Sequence, residues 1–160
     1  MAWGRLRRNS DTVAMNTRFL RRGALALVLA LPAGAAWADA NPLSAERWKT
    51  RPVVLVVPQD GDPLLTRVQA ALAQTGAREA FRAREMVLYT VVAGAGRRND
   101  EALGTAQTAA LLKALQLDAR GPSTFVLVGM DGGVKLRSGA GVDLQEVFAE
   151  IDRMPMRQPR

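Results

Sequence analysis

Compact apolar runs alternate along the chain with stretches whose apolar positions recur at helical spacing, and that alternation sets the expected fold. Val53-Val-Leu-Val-Val57 is an unbroken apolar run closed by Pro58, the pattern of a central strand covered on both faces. Gln59 to Asp62 reads as a turn, after which Asp62-Pro63 offers an N-cap followed by proline in the first helical position. Leu64, Leu65, Val68, Ala71 and Leu72 then form one stripe, with Gly76 as a C-terminal stop. A helix is predicted over 62–75. Arg78 to Arg84, carrying Phe81 among charges, reads as a short helical turn.

Met86-Val-Leu-Tyr-Thr-Val-Val92 is rich in β-branched and aromatic residues and predicts a second strand. It runs into Gly94-Ala-Gly-Arg-Arg-Asn-Asp100, a glycine-rich loop. The stripe Thr108, Leu111, Leu112, Leu115 predicts a helix from about Thr105 to Leu117, broken by Gly121-Pro122. Phe125 to Val128 is a third buried strand, and Asp131-Gly-Gly with alternating Val134, Lys135, Leu136 and Arg137 predicts a tight hairpin into a half-exposed fourth strand. Lys135 on such an edge discourages sheet-to-sheet association. The last helix has the strongest start: Asp143 as N-cap, Glu146 three residues on, and Val142 and Val147 as a staple. Leu144, Val147, Phe148 and Ile151 are its buried face.

The order β-α-β-α-β-β-α describes an α/β domain with a four-stranded mixed sheet and helices on both faces. This is the thioredoxin-like plan, the alternative being a small doubly wound α/β domain.

The segment ahead of these elements reads as a secretory leader. Six arginines, from Arg5 to Arg22, precede the apolar run Ala24–Leu31, and Pro32 with the small residues up to Ala38 completes the three-part pattern. Ala36 and Ala38 form an A-x-A pair, so cleavage is expected near Ala38/Asp39, with export to the periplasm or beyond by the general route or, through Arg21-Arg22, the twin-arginine route. Met15 also opens a complete cationic start and is a second candidate initiator. The expected division is a leader over 1–38, a lead-in over 39–51 with Trp48 packing against the domain, the domain over 52–154, and a tail over 155–160.

The leader changes the reading of charge. The whole chain has 22 Lys+Arg against 15 Asp+Glu, a net +7. Without residues 1–38, which hold six Arg and Asp11, 16 basic and 14 acidic residues remain, a net +2. Nucleic-acid binding has no electrostatic basis in so balanced a chain, and no membrane insertion is expected after cleavage, since no later run approaches the roughly 20 apolar residues of a spanning helix.

The 160 residues include neither Cys nor His. Disulfides, Cys/His zinc sites, dithiol redox couples, thiolate nucleophiles and imidazole bases are therefore all excluded.

With these elements in place the chain resembles the exported bacterial family called domain of unknown function 4174. The resemblance is carried by Arg84-Glu-Met-Val-Leu-Tyr89, by Leu127-Val-Gly-Met-Asp-Gly-Gly-Val-Lys-Leu-Arg137 and by Phe148-Ala-Glu-Ile-Asp-Arg-Met-Pro-Met-Arg157. It covers roughly 41–157 and implies a thioredoxin-like fold with no assigned activity. Redox-active members of that fold carry a CxxC pair after the first core strand, where this chain has Pro58-Gln-Asp-Gly-Asp-Pro63. Pro122 lies near the place of their other hallmark, a proline before the third strand, but Ser123 and Thr124 separate it from Phe125.

Three groups of residues are candidates for chemistry. Gly94, Gly96, Arg97 and Arg98 follow a strand and lead toward a helix, where backbone N–H groups and two guanidinium groups would cradle an anion. Asn99 stands where a third glycine would complete the phosphate-binding pattern, and the bland alternative is a turn with solvated arginines. Gln59, Asp60 and Asp62 occupy the position of the missing dithiol; either the two carboxylates bind a cation or act as an acid/base pair, or Asp60 is turn chemistry and Asp62 a cap. Met154 and Met156 offer thioethers to a soft ion, with Met130 or Met86 as further donors, or simply pack behind the last helix. Pro122, Asp62 and Asp143 are expected to be structural. No catalytic residue, metal or cofactor is implied. The expected role is a binding or accessory module taking a protein or a small anionic ligand, the alternative being an anion-binding enzyme or sensor built on the Gly94–Arg98 segment.

Overall fold

Seven consecutive residues, Arg51–Val57, form β1 and are all buried, as an apolar run must be in a strand whose side chains leave both faces. In the computed structural model, which describes residues 41–154, this strand pairs in parallel with β2 (Met86–Val92) and antiparallel with β5 (Thr124–Val128). Beyond β2 lie β3 (Ala95–Arg98) and β4 (Glu101–Ala102), and beyond β5 lies β6 (Val134–Ser138). The sheet is mixed and has six strands in the order β4-β3-β2-β1-β5-β6. The leader, its cleavage point and the tail from residue 155 lie outside the described residues.

The expectation of four strands is corrected to six. Those four are present and adjacent, but the segment 94–100, expected as a loop, supplies two more. Ala93 and Gly94 both have positive φ (47° and 85°), and Val92 pairs directly with Ala95. Two left-handed residues in succession make the tight hairpin turn whose twist matches the flanking strands. The antiparallel placement of β5 beside β1 also removes the doubly wound alternative.

Alternation along β1 divides the core. Val53, Leu55 and Val57 face one layer, made by α1 (Pro63–Ala73), α2 (Thr75–Ala83) and α4 (Leu144–Asp152). Val54 and Val56 face the other, made by α3 (Thr105–Leu115) and a 3-10 helix, Pro42–Glu46. The lead-in is part of the domain, since Leu43 joins the second layer. Trp48 does not pack as expected: it is 63% exposed, and its backbone is held left-handed at φ 62° by an N–H bond to Met130 C=O of 2.7 Å.

Helix boundaries follow local chemistry. Asp62 caps α1 by accepting from Leu64 N–H at 2.9 Å. The helix stops at Ala73 because Gln74 is extended, so Gly76 falls inside α2 instead of ending α1, and the expected short turn is a nine-residue helix. Gln116 ends α3 in the left-handed conformation before Gly121-Pro122 is reached. Asp143 accepts from Gln145 N–H at 2.8 Å, while among the described residues no side-chain bond returns from Glu146, so the cap is one-sided.

Candidate functional site

In a β-strand successive side chains leave opposite faces, and β3 applies that rule to the two arginines. Arg98 pairs with Tyr89 and Arg97 with Thr90. Arg98 thus emerges among the α3 layer and Arg97 on the α1 side. The expectation that both guanidinium groups clasp one ligand is corrected by this geometry.

Arg98 is engaged by Glu46. Its Nε donates to Glu46 Oε1 at 2.7 Å, the Tyr89 hydroxyl donates to the same oxygen at 2.7 Å, and Thr50 Oγ1 donates to Oε2 at 2.5 Å. Glu46 is 6% exposed in its side chain and Arg98 39%. Burial alone would raise the Glu46 pKa, but the hydrogen bonds from Arg98, Thr50 and Tyr89 and the charge of Arg98 outweigh it and hold the carboxyl below its ordinary value. Tyr89 moves the other way, because burial and the adjacent carboxylate both oppose a phenolate. The cluster ties the 3-10 helix to β2 and β3. It was not legible in the sequence, because Glu46 meets Tyr89 and Arg98 only through pairings that span 43 and 52 residues.

Gly96 serves packing. A Cβ built there would meet Thr108 Oγ1 at 2.3 Å, so its lack of a side chain lets α3 lie against β3. Gly94 serves the turn. Neither glycine's backbone is arranged as an anion cradle at the start of a helix, since α3 begins only at Thr105.

Arg97 has a different environment. It is exposed and, among the described residues, its side chain makes neither a hydrogen bond nor an ion pair. It lines a cleft of about 530 Å³ between α1 and β3, with Asp60 and Asp100 as acidic neighbours and an apolar wall that includes Leu65, Leu72 and Leu88. Arg97 and Asp60, far apart in sequence, therefore line one cleft, whereas Gln59 and Pro122 are exposed and line neither it nor the hollow bordered by Glu46, Tyr89 and Arg98.

Asp62 is fully engaged. Its Oδ1 caps α1 and its Oδ2 accepts from Ser123 Oγ at 2.6 Å, which leaves it 6% exposed and pins the segment before β5 to the start of α1. Asp62→Ala is expected to lower the unfolding free energy by about 1–2 kcal/mol. A urea midpoint within error of the parent would show that neither bond is formed in solution.

Asp131 closes the β5–β6 turn by accepting from Gly133 N–H at 3.0 Å and from Lys135 Nζ at 2.6 Å. The Lys135 bond first, and then that backbone N–H, hold its carboxyl below the ordinary range. Met130 and Met154 do line one pocket, but Arg51 lines it too. A guanidinium there opposes a monovalent cation, and Met156 lies outside the described residues. No group of three or more acidic, His or Cys side chains fit to hold a metal occurs among the described residues.

The reduced 2-Cys peroxiredoxin of Plasmodium vivax is a solved structure similar to this one, with a TM-score of 0.45 and 19% identity over 69% of this chain and 80% of that one. No curated protein matches the chain. The model of the family described as domain of unknown function, DUF4174, matches residues 42–160, from the start of the 3-10 helix through every strand and helix of the sheet. The chain belongs to that family.

Proposed function

We propose that this chain is an exported, thioredoxin-like binding module that holds a small anionic ligand in the cleft between α1 and β3, with Arg97 as the charged anchor. The observation that carries the reading is Arg97 itself, the one of the two arginines on β3 that no carboxylate occupies, set in a cleft with an apolar wall. Such a combination suits an organic anion, whose charge meets the guanidinium while its body covers Leu65 and Leu88.

The thioredoxin-like part of the reading rests on four adjacent strands, β2-β1-β5-β6, with the first pair parallel and the hairpin antiparallel. A binding role is favoured over catalysis because the residues after β1 offer no thiol, and the buried acid there, Asp62, is saturated by two donors. Export rests on the leader pattern of residues 1–38.

The test is a thermal-shift screen of the protein against phosphates, sulfated sugars and carboxylates, followed by titration of whichever anion stabilises it. Arg97→Ala is expected to weaken that anion roughly ten- to a hundredfold, the worth of a charge-assisted hydrogen bond, and Arg98→Ala to leave its affinity unchanged. Equal binding by the Arg97→Ala protein removes the cleft as the site.

A further inference from the structure

Arg51 is the first residue of β1, at the other end of that strand from Asp60, and its side chain is only 3% exposed. Burying a guanidinium to this degree calls for acceptors on its five N–H groups. Its Nη1 donates to Arg84 C=O at 3.0 Å, and Glu85 approaches the same nitrogen at 3.5 Å while remaining 58% exposed. Nε and Nη2 have no acceptor among the described residues. No fully buried side-chain nitrogen or oxygen there lacks a partner, so these donors open onto accessible space. The space that Arg51 lines is a pocket of about 330 Å³ bounded by Met130, Met154, Lys135 and Glu150.

We propose that this pocket binds a small monocarboxylate with a short apolar chain, gripped by the Nε–Nη2 edge of Arg51. That edge presents two parallel N–H groups matched to the two oxygens of a carboxylate. The thioethers of Met130 and Met154 supply the soft, adaptable walls an alkyl chain needs. The other charged groups on the pocket are already paired, Lys135 with Asp131 at 2.6 Å and Glu150 with Arg153 at 3.5 Å, which leaves the Nε–Nη2 edge of Arg51 to meet the ligand and matches it to a single carboxylate. The volume lies at the low end of ligand cavities, which run to about 1,000 Å³, and restricts the chain to a few carbons.

The pocket is separate from the Arg97 cleft, and the experiment reads it separately. Protein labelled at the methionine methyl carbons is titrated with hexanoate at pH 7. The Met130 and Met154 signals are expected to shift saturably, with hexan-1-ol at least tenfold weaker. Arg51→Lys, which keeps the charge but loses the fork, and Met154→Glu, which adds a repelling carboxylate, are each expected to weaken hexanoate at least tenfold. If Arg51→Lys does not fold, Met154→Glu and the alcohol decide. Absence of a saturable shift at these two methyls, equal binding of the alcohol, or unchanged affinity in Met154→Glu overturns the proposal.

Discussion

Replacing Glu46 with alanine is expected to lower the unfolding free energy by about 2–4 kcal/mol, one of the two largest losses anticipated for a single side chain here. Three donors converge on that carboxylate, and their fates differ once it is gone. Arg98, 39% exposed, turns to solvent at little cost. Tyr89 cannot, because it is fully buried, and a stranded buried hydroxyl costs about 1–3 kcal/mol. Combining Glu46→Ala with Tyr89→Phe removes the stranded group, so the double variant is expected to recover part of the loss. Strictly additive effects would mean that the two side chains do not interact. The same carboxyl makes stability pH-dependent. Its native pKa lies below the value of 4.5 typical of an unperturbed glutamate, so the unfolded chain takes up the proton first as pH falls. The contribution of Glu46 is complete above about pH 4.5 and is lost as acidification proceeds through its lower native pKa. Chemical denaturation between pH 3 and 6 should therefore show a steeper loss for the parent than for Glu46→Gln.

Gly96→Ala is expected to destabilise by about 1–3 kcal/mol through overpacking. The added methyl would meet Thr108 Oγ1 at 2.3 Å, Cγ2 at 3.0 Å and Cβ at 3.1 Å. Thr108 has no room to yield: it is 4% exposed, and its hydroxyl donates to Gly104 C=O at 3.1 Å. α3 must then shift away from β3. Gly96→Ala/Thr108→Ala removes the two nearest of these atoms, leaving only Cβ at 3.1 Å, and is expected to regain part of the stability relative to Gly96→Ala alone. A single variant as stable as the parent would show that α3 does not lie so close to the strand. An alanine at Gly129 meets first the far end of a lysine, a flexible neighbour that can move aside.

The elements that were legible share one property, a dense local signal. Val53–Val57 and Phe125–Val128 are apolar without interruption, and Asp62-Pro63 and Asp143 are caps defined within three residues. β3 and β4 lack any such signal. Ala95-Gly-Arg-Arg98 contains no β-branched or aromatic residue, and its turn uses Ala93-Gly94 in place of the usual Asn-Gly. What makes it a strand is β2 beside it and α3 above Gly96, neither of which is local. The same limit governed the candidate sites. Arg97 and Arg98 were visible as a basic pair, but once their backbone is extended, adjacency in sequence puts them on opposite faces. The environment of Arg51 was equally hidden, because Arg84, Met130 and Met154 reach it from three separate parts of the fold. Trp48 erred in the opposite direction: a lone large apolar residue suggested burial, and the tie between its backbone and Met130 holds it outside.

The pairing pattern also implies an order of assembly. β2, β3 and β4 are consecutive in the chain and close on one another through tight turns, whereas Val53 of β1 must find Leu127 of β5 across most of the domain. Short loops close with little loss of chain entropy and long ones close late. The meander from Met86 to Ala102 and the β5–β6 hairpin are thus expected to gain their ladders earliest, and the central strand, although the most buried, is expected to be among the last enclosed on both edges.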